Sequence, residues 1–136
     1  TGTNQAALQY AVVEGVSFGI LDGVNSIQSV NTNFDDIFVV GGGSQSSFWL
    51  ELLASIINRN LSVCEQSEFG AALGVARLAM FIDKNISDTS SIIKKIEMKK
   101  SFSPNEKLIS LLQERYQIWK EIYFNGKNSS ASFINL

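Results

Sequence analysis

An α/β fold is what this sequence predicts, and three observations carry the expectation. A run of β-branched and aromatic residues, Ile37-Phe38-Val39-Val40, stops abruptly at Gly41-Gly42-Gly43 and gives way to apolar residues at helical spacing. A second short run, Leu61-Ser62-Val63-Cys64, precedes a small-residue helix from Phe69 to Phe81. Strand, glycine loop, helix, strand, helix is a βαβα unit, for which a parallel sheet and a right-handed crossover are the default. The third observation is a 3.6-residue apolar period ahead of the first strand, which adds a flanking amphipathic helix.

That flanking helix is expected from about Ala6 to Val30, with its apolar stripe at Leu8, Ala11, Val12, Val16, Ile20, Val24 and Ile27. Gly15, Gly19 and Gly23 recur at a spacing of four within it, each costing up to about 1 kcal/mol relative to Ala. Their common ridge suits close packing of a neighbouring element or direct contact with a ligand. Gly70 and Gly74 repeat the spacing in the helix after the second strand. The helix after the glycine loop carries Phe48, Leu50, Leu52, Leu53, Ile56 and Ile57 and stops near Asn58-Arg59-Asn60. From Asp83 to Ser103 the composition turns polar and reads as surface or linker, with one short helix started by Asp88 that carries Ile92, Ile93 and Ile96. Ser103-Pro104-Asn105-Glu106 then offers Ser as N-cap, Pro at the first helical position and Glu at the third. The helix it opens has a stripe of Leu108, Leu111, Leu112, Arg115, Trp119, Ile122 and Tyr123, with Asn125-Gly126 as its stop and a loose tail over 127–136.

Composition bounds the function. The chain has 136 residues, 45% hydrophobic and 18% charged, the size of one domain or part of one. Thirteen acidic against eleven basic side chains leave a net charge of −2, which supplies no overall basic field for nucleic acid or anionic lipid. There is no histidine, so every Ser-His, Cys-His and His-metal arrangement within this chain is excluded. The single Cys64 excludes an intramolecular disulfide and a thiolate zinc site. No secretory signal is visible at Thr1-Gly2-Thr3-Asn4-Gln5, and Glu14, Asp22, Glu51, Arg59 and Arg77 interrupt the best apolar stretches, so a cytoplasmic protein without a membrane span is expected.

Chemistry concentrates at the glycine loop. A strand ending in Gly41-Gly42-Gly43 and followed by a helix brings bare backbone N–H groups and a helix N-terminus to one point, which suits a phosphate or a nucleotide sugar. Ser44, Gln45 and Ser46 add hydrogen-bond donors beside it. A triple glycine also makes a tight turn with no ligand at all. No Gly-Lys-Ser or Gly-Lys-Thr occurs, which excludes a P-loop. A dinucleotide fingerprint would read Gly41-x-Gly43-x-x-Ser46, lacking its third glycine, with Glu65 as the acid that follows; an NAD-binding domain stays open as an alternative.

The stretch from Gly41 through Phe48-Trp49 to Ile56 resembles the GGG-A-K-S-x-x-W-x-Q-x-x-A-D-I signature of the C-terminal domain of FGGY carbohydrate kinases, the xylulokinase branch especially. Glu14-Gly15-Val16-Ser17-Phe18 is similar to the family's E-G-V-A-F helix. Glu68-Phe69-Gly70-Ala71-Ala72-Leu73-Gly74-Val75-Ala76 resembles its E-x-x-A-L-G-A-A helix, and Phe102-Ser103-Pro104-Asn105 its F-x-P-N. The four motifs stand in the family's order across residues 10–124. This resemblance implies the C-terminal part of an actin-like ATPase (RNase H-like) domain over 1–126. In it Gly41, Gly42 and Gly43 lie against the ribose and α-phosphate of ATP, with Ser44, Gln45 and Ser46 on the same edge. It implies a parent enzyme that phosphorylates a sugar, xylulose or a related ketose, with ATP and a Mg²⁺ carried through the nucleotide phosphates. The catalytic Asp and the sugar pocket would then precede this chain, leaving no catalytic or metal-binding residue within it and making the fragment alone inactive. ATP or ADP, the sugar and a second copy of the parent enzyme are the partners it implies. A non-catalytic actin-like nucleotide-binding or interaction module is the alternative. The chain departs from the pattern at Gln45 for Lys, Glu51 for Gln, Ser55 for Asp and Val75 for Ala, and the first of these removes a cation from the loop.

Overall fold

A computed structural model describes residues 3–30, 34, 36–84 and 97–133. The elements in order are α1 (Gln5–Ser29), β1 (Ile37–Val39), a 3₁₀ turn at Gly42–Gln45, α2 (Ser47–Ile57) and β2 (Leu61–Cys64). A second 3₁₀ turn at Ser67–Phe69, α3 (Gly70–Lys84), β3 (Met98–Phe102) and α4 (Glu106–Phe133) complete them. The expected parallel pair is present: β1 and β2 run in the same direction with Ile37 opposite Leu61 and Val39 opposite Val63.

The third strand departs from expectation. Residues 98–102, read from sequence as surface or linker, pair antiparallel with β2, Leu61 opposite Phe102 and Ser62 opposite Ser101, with a register irregularity at Val63/Cys64. Met-Lys-Lys-Ser-Phe carries no alternating pattern because β3 is an edge of the sheet where only Phe102 turns inward, and lysines on an edge oppose further strand addition. The helix expected from Asp88 lies outside the described residues.

The centre of the molecule is α2, buried from Leu52 to Ile57 without a break. A helix apolar all round must be covered on more than one side. Leu50, Leu53, Ala54 and Ile57 pack on the sheet through Leu61, Val63 and Phe102, while Leu52 and Ile56 pack on Phe18 of α1 and on Leu112 and Tyr116 of α4. Sheet, α2, and the α1/α4 pair thus form three layers. Asn58, in the left-handed conformation (φ 54°), ends α2 and sends the chain back into β2.

On α1 most of the expected stripe faces outward, Val24 alone of it packing on the core. Val12, Val16 and Ile20 are exposed, and the buried side is Glu14, Ser17 and Phe18 with Val13 and Leu21 beside them. The helix is apolar on both sides, so periodicity alone could not choose between them. The glycine ridges follow from that orientation. A Cβ at Gly70 would sit 3.2 Å from Val40 and one at Gly15 3.9 Å from Trp119, but Gly19, Gly23 and Gly74 would meet nothing within 4 Å. Close packing therefore holds at Gly70, Gly15 leaves room for an ordinary side-chain contact, and the other three lie on faces that the described residues leave uncovered.

Both ends of α4 differ from expectation. Asn105, not Ser103, is the cap: its side chain accepts the Lys107 N–H at 3.1 Å, and its own N–H donates to Ser55 Oγ at 3.0 Å, which fixes the entry two residues later. That contact also explains Ser55, whose hydroxyl donates to Glu51 O at 2.8 Å while receiving the amide that leads into α4. The helix runs through Asn125-Gly126 to Phe133, because Gly126 does not adopt the positive φ of a glycine cap; among the described glycines only Gly41 does. Its inward side is Leu112, Tyr116 and Trp119, so Tyr116 replaces the exposed Leu111 and Ile122 of the expected stripe.

Candidate functional site

The glycine loop forms where β1 ends, and its three glycines stand in three different surroundings. Gly41 stands at φ +91°, a conformation that side chains oppose. That bend lets its N–H donate to Ser67 O at 2.8 Å while its carbonyl accepts both the N–H of Ser44 at 3.0 Å and the Ser44 hydroxyl at 2.7 Å. Gly43 lies over an indole: a Cβ there would be 2.4 Å from Trp49 Cζ3. Gly42 is exposed, and a Cβ on it would meet nothing within 4 Å. It is the open backbone of the loop.

The structure brings all six expected residues into one turn but gives the polar ones separate duties. Ser44 is buried, its hydroxyl 2.9 Å from that of Ser67, so it ties the loop to the Ser67–Phe69 turn and faces away from solvent. Ser46 caps α2 by accepting the Trp49 N–H at 3.3 Å. Gln45 is exposed and its amide donates to Glu68 Oε2 at 3.3 Å. A ligand approaching the loop therefore meets the backbone at Gly42 and the amide of Gln45, beside the N-terminus of an eleven-residue helix whose dipole favours negative charge.

Sequence reasoning missed three contributors. Ser67 closes the loop from behind, Glu68 holds Gln45, and Ser17 receives the Trp49 indole N–H at 2.9 Å from the far side of α2. The signal for Glu68 was its place at the head of the E-x-x-A-L-G-like segment, with Ser67 just before it; nothing in the sequence pairs Ser17 with Trp49, which are 32 positions apart. The Arg115 that interrupts the apolar stripe of α4 is explained by a 2.6 Å ion pair with buried Glu14 of α1. Tyr116 donates to Asp22 Oδ1 at 2.9 Å, and burial, then the carboxylate that accepts its proton, hold its hydroxyl above the usual tyrosine value. These contacts bind α1 to α4 and lie away from the loop.

The model of the FGGY family of carbohydrate kinases, C-terminal domain, matches residues 1–82, which include α1, the glycine loop, both parallel strands and nearly all of α3. The chain belongs to the FGGY family of carbohydrate kinases. Xylulose kinase of Escherichia coli K12 is 26% identical over 122 residues, 90% of this FGGY chain but 25% of that protein. A solved xyloylose kinase from Brucella ovis superposes with a TM-score of 0.78 at 32% identity, over 93% of this chain and 26% of the other. Gluconate kinase from Lactobacillus acidophilus gives 0.68 at 28% identity, over 98% and 28%. The chain thus spans about a quarter of the length of these relatives. Its fold is the C-terminal part of their actin-like ATPase domain, and the family assignment sets aside the NAD-binding alternative. Among the described residues no helix is long and apolar enough to cross a membrane.

Proposed function

We propose that this FGGY chain is the nucleotide-binding portion of a cytoplasmic kinase that phosphorylates xylulose, or a related sugar, from MgATP. The observation that carries the reading is Gly42: an uncovered backbone position at a strand end, held open by neighbours that only glycine can occupy. MgATP, when bound, supplies the phosphoryl group and the metal that its own phosphates carry. This chain's part is to bind and orient. The Gly41–Gly43 backbone abuts the ribose and α-phosphate, Gln45 lines the same edge, and the α2 N-terminus lowers the cost of the phosphate charge. Gln45 contributes an amide that Glu68 already holds, so the loop attracts phosphate by oriented dipoles and not by a side-chain cation.

The general base and the sugar pocket belong to the portion of the polypeptide that the relatives have and this chain does not span. The outward face of α1, with Val12 67% and Val16 50% exposed, is where that portion covers this one. The test is to express the full-length protein and this chain separately. Phosphate transfer from ATP to xylulose by the first, none by the second, and a preference of this chain for ATP over NAD are the expected results. A full-length protein that transfers phosphate to no ketose or polyol overturns the kinase reading in favour of a non-catalytic nucleotide-binding module.

A further inference from the structure

We propose that Trp49 is a positioning residue that sets the height of the glycine loop against the nucleotide, and that Ser17 on α1 sets Trp49; this rests on the nucleotide reading of the loop. The indole fills the space beneath Gly43 so closely that a Cβ there would lie 2.4, 3.0 and 3.3 Å from three of its ring carbons. The loop can sink no further toward the core. The ring is itself held at its polar edge, where Nε1–H donates to Ser17 Oγ at 2.9 Å. Ser17 is fully buried, and its one hydroxyl proton goes to Val13 O at 2.7 Å. The oxygen therefore meets the indole only as an acceptor, which fixes the direction of the bond. The Trp49 backbone N–H meanwhile donates to Ser46 Oγ at the end of the same loop. One residue thus supports the loop from below and closes it at its far end, and its anchor lies in α1, a separate helix from the one the loop leads into.

The experiment uses the 136-residue chain with 5-fluorotryptophan, whose two ¹⁹F signals from Trp49 and Trp119 are assigned with Trp49→Phe. ATP should shift the Trp49 signal together with the Gly42 and Gly43 amides and leave Trp119 in place. Trp49→Phe, which keeps a ring but cannot donate from it, and Ser17→Ala, which removes the acceptor together with its bond to Val13 O within α1, should each weaken ATP about three- to tenfold. Tyr116→Phe, a remote control that removes an α1–α4 hydrogen bond, should leave affinity within about twofold. If the loop amides respond while the Trp49 signal stays still and both variants bind like the parent, the positioning role is overturned and the nucleotide site stands. If no loop amide responds to ATP, the nucleotide reading falls, and this proposal with it.

Discussion

One added carbon discriminates between two adjacent glycines of the loop. In Gly43→Ala the new methyl would stand 2.4 Å from Trp49 Cζ3, against the roughly 3.5–4.0 Å at which carbon atoms rest in contact. More than an ångström must be recovered by moving either the indole or the loop. The indole cannot leave without stretching its 2.9 Å bond to Ser17, and the loop cannot rise without breaking the Gly41–Ser67 bond at 2.8 Å. Overpacking of this kind costs about 1–3 kcal/mol, and a lost hydrogen bond adds about 1 kcal/mol. The total of roughly 2–4 kcal/mol corresponds to a fall in Tm of about 8–16 °C for a domain of this size. Gly42→Ala, whose methyl meets nothing within 4 Å, should melt within about 2 °C of the parent. Thermal unfolding by circular dichroism of the two variants side by side reads the difference. Equal midpoints would refute the claim that the indole, and not the turn alone, excludes a side chain from position 43.

Nuclear magnetic resonance titration of the chain with ATP should give a Kd on the order of 1 mM, since only one side of the cleft is present, and Gly42→Val should weaken it further by placing methyl groups where the ligand lies. Gly19→Leu should not overpack, because nothing lies within 4 Å of that position; helix propensity instead predicts unchanged stability or a gain of up to about 1 kcal/mol, read as an unchanged or slightly raised midpoint. Arg115→Met strands the Glu14 carboxylate, and with the arginine side chain 46% exposed the expected loss is about 1–3 kcal/mol in urea denaturation, largely recovered in Arg115→Met/Glu14→Gln. Tyr116 has its folded-state pKa raised above 10.0, so its hydrogen bonds support the fold fully below about pH 10 and are lost as pH climbs through the raised value. The midpoint should drop more steeply above that pH in the parent than in Tyr116→Phe, and parallel curves would count against the Asp22 contact.

The parts of this fold that a sequence can announce are those where local chemistry and burial agree. β1 and β2 are short and α2 is buried over its last two turns, and their composition leaves little choice. β3 was invisible because its partner is Leu61–Cys64, some forty positions away, and its own side chains point mostly to water. On α1 two apolar faces competed, and the winner was chosen by residues of low hydrophobic signal: Ser17 beneath the Trp49 indole and Glu14 beneath Arg115. The cap of α4 moved to Asn105 because Ser55, on another helix, took the Asn105 amide. At the loop the glycines were legible as a group but their division of labour was not. Only the neighbours show that Gly41 serves a bend, Gly43 an indole and Gly42 an opening, or that the Ser44 hydroxyl faces inward.

Because α2 is clamped between the sheet on one side and α1 with α4 on the other, the turn that precedes it is ordered before any ligand arrives. The conformational entropy of the loop is then lost during folding and not during association, so each contact made at Gly42 counts more nearly in full toward affinity. The converse is a form of vulnerability at a distance. Trimming Leu53 or Ile56, neither of which approaches the loop, would give the turn back its freedom and surface as weaker ligand capture in a protein whose ligand-facing atoms are all unchanged.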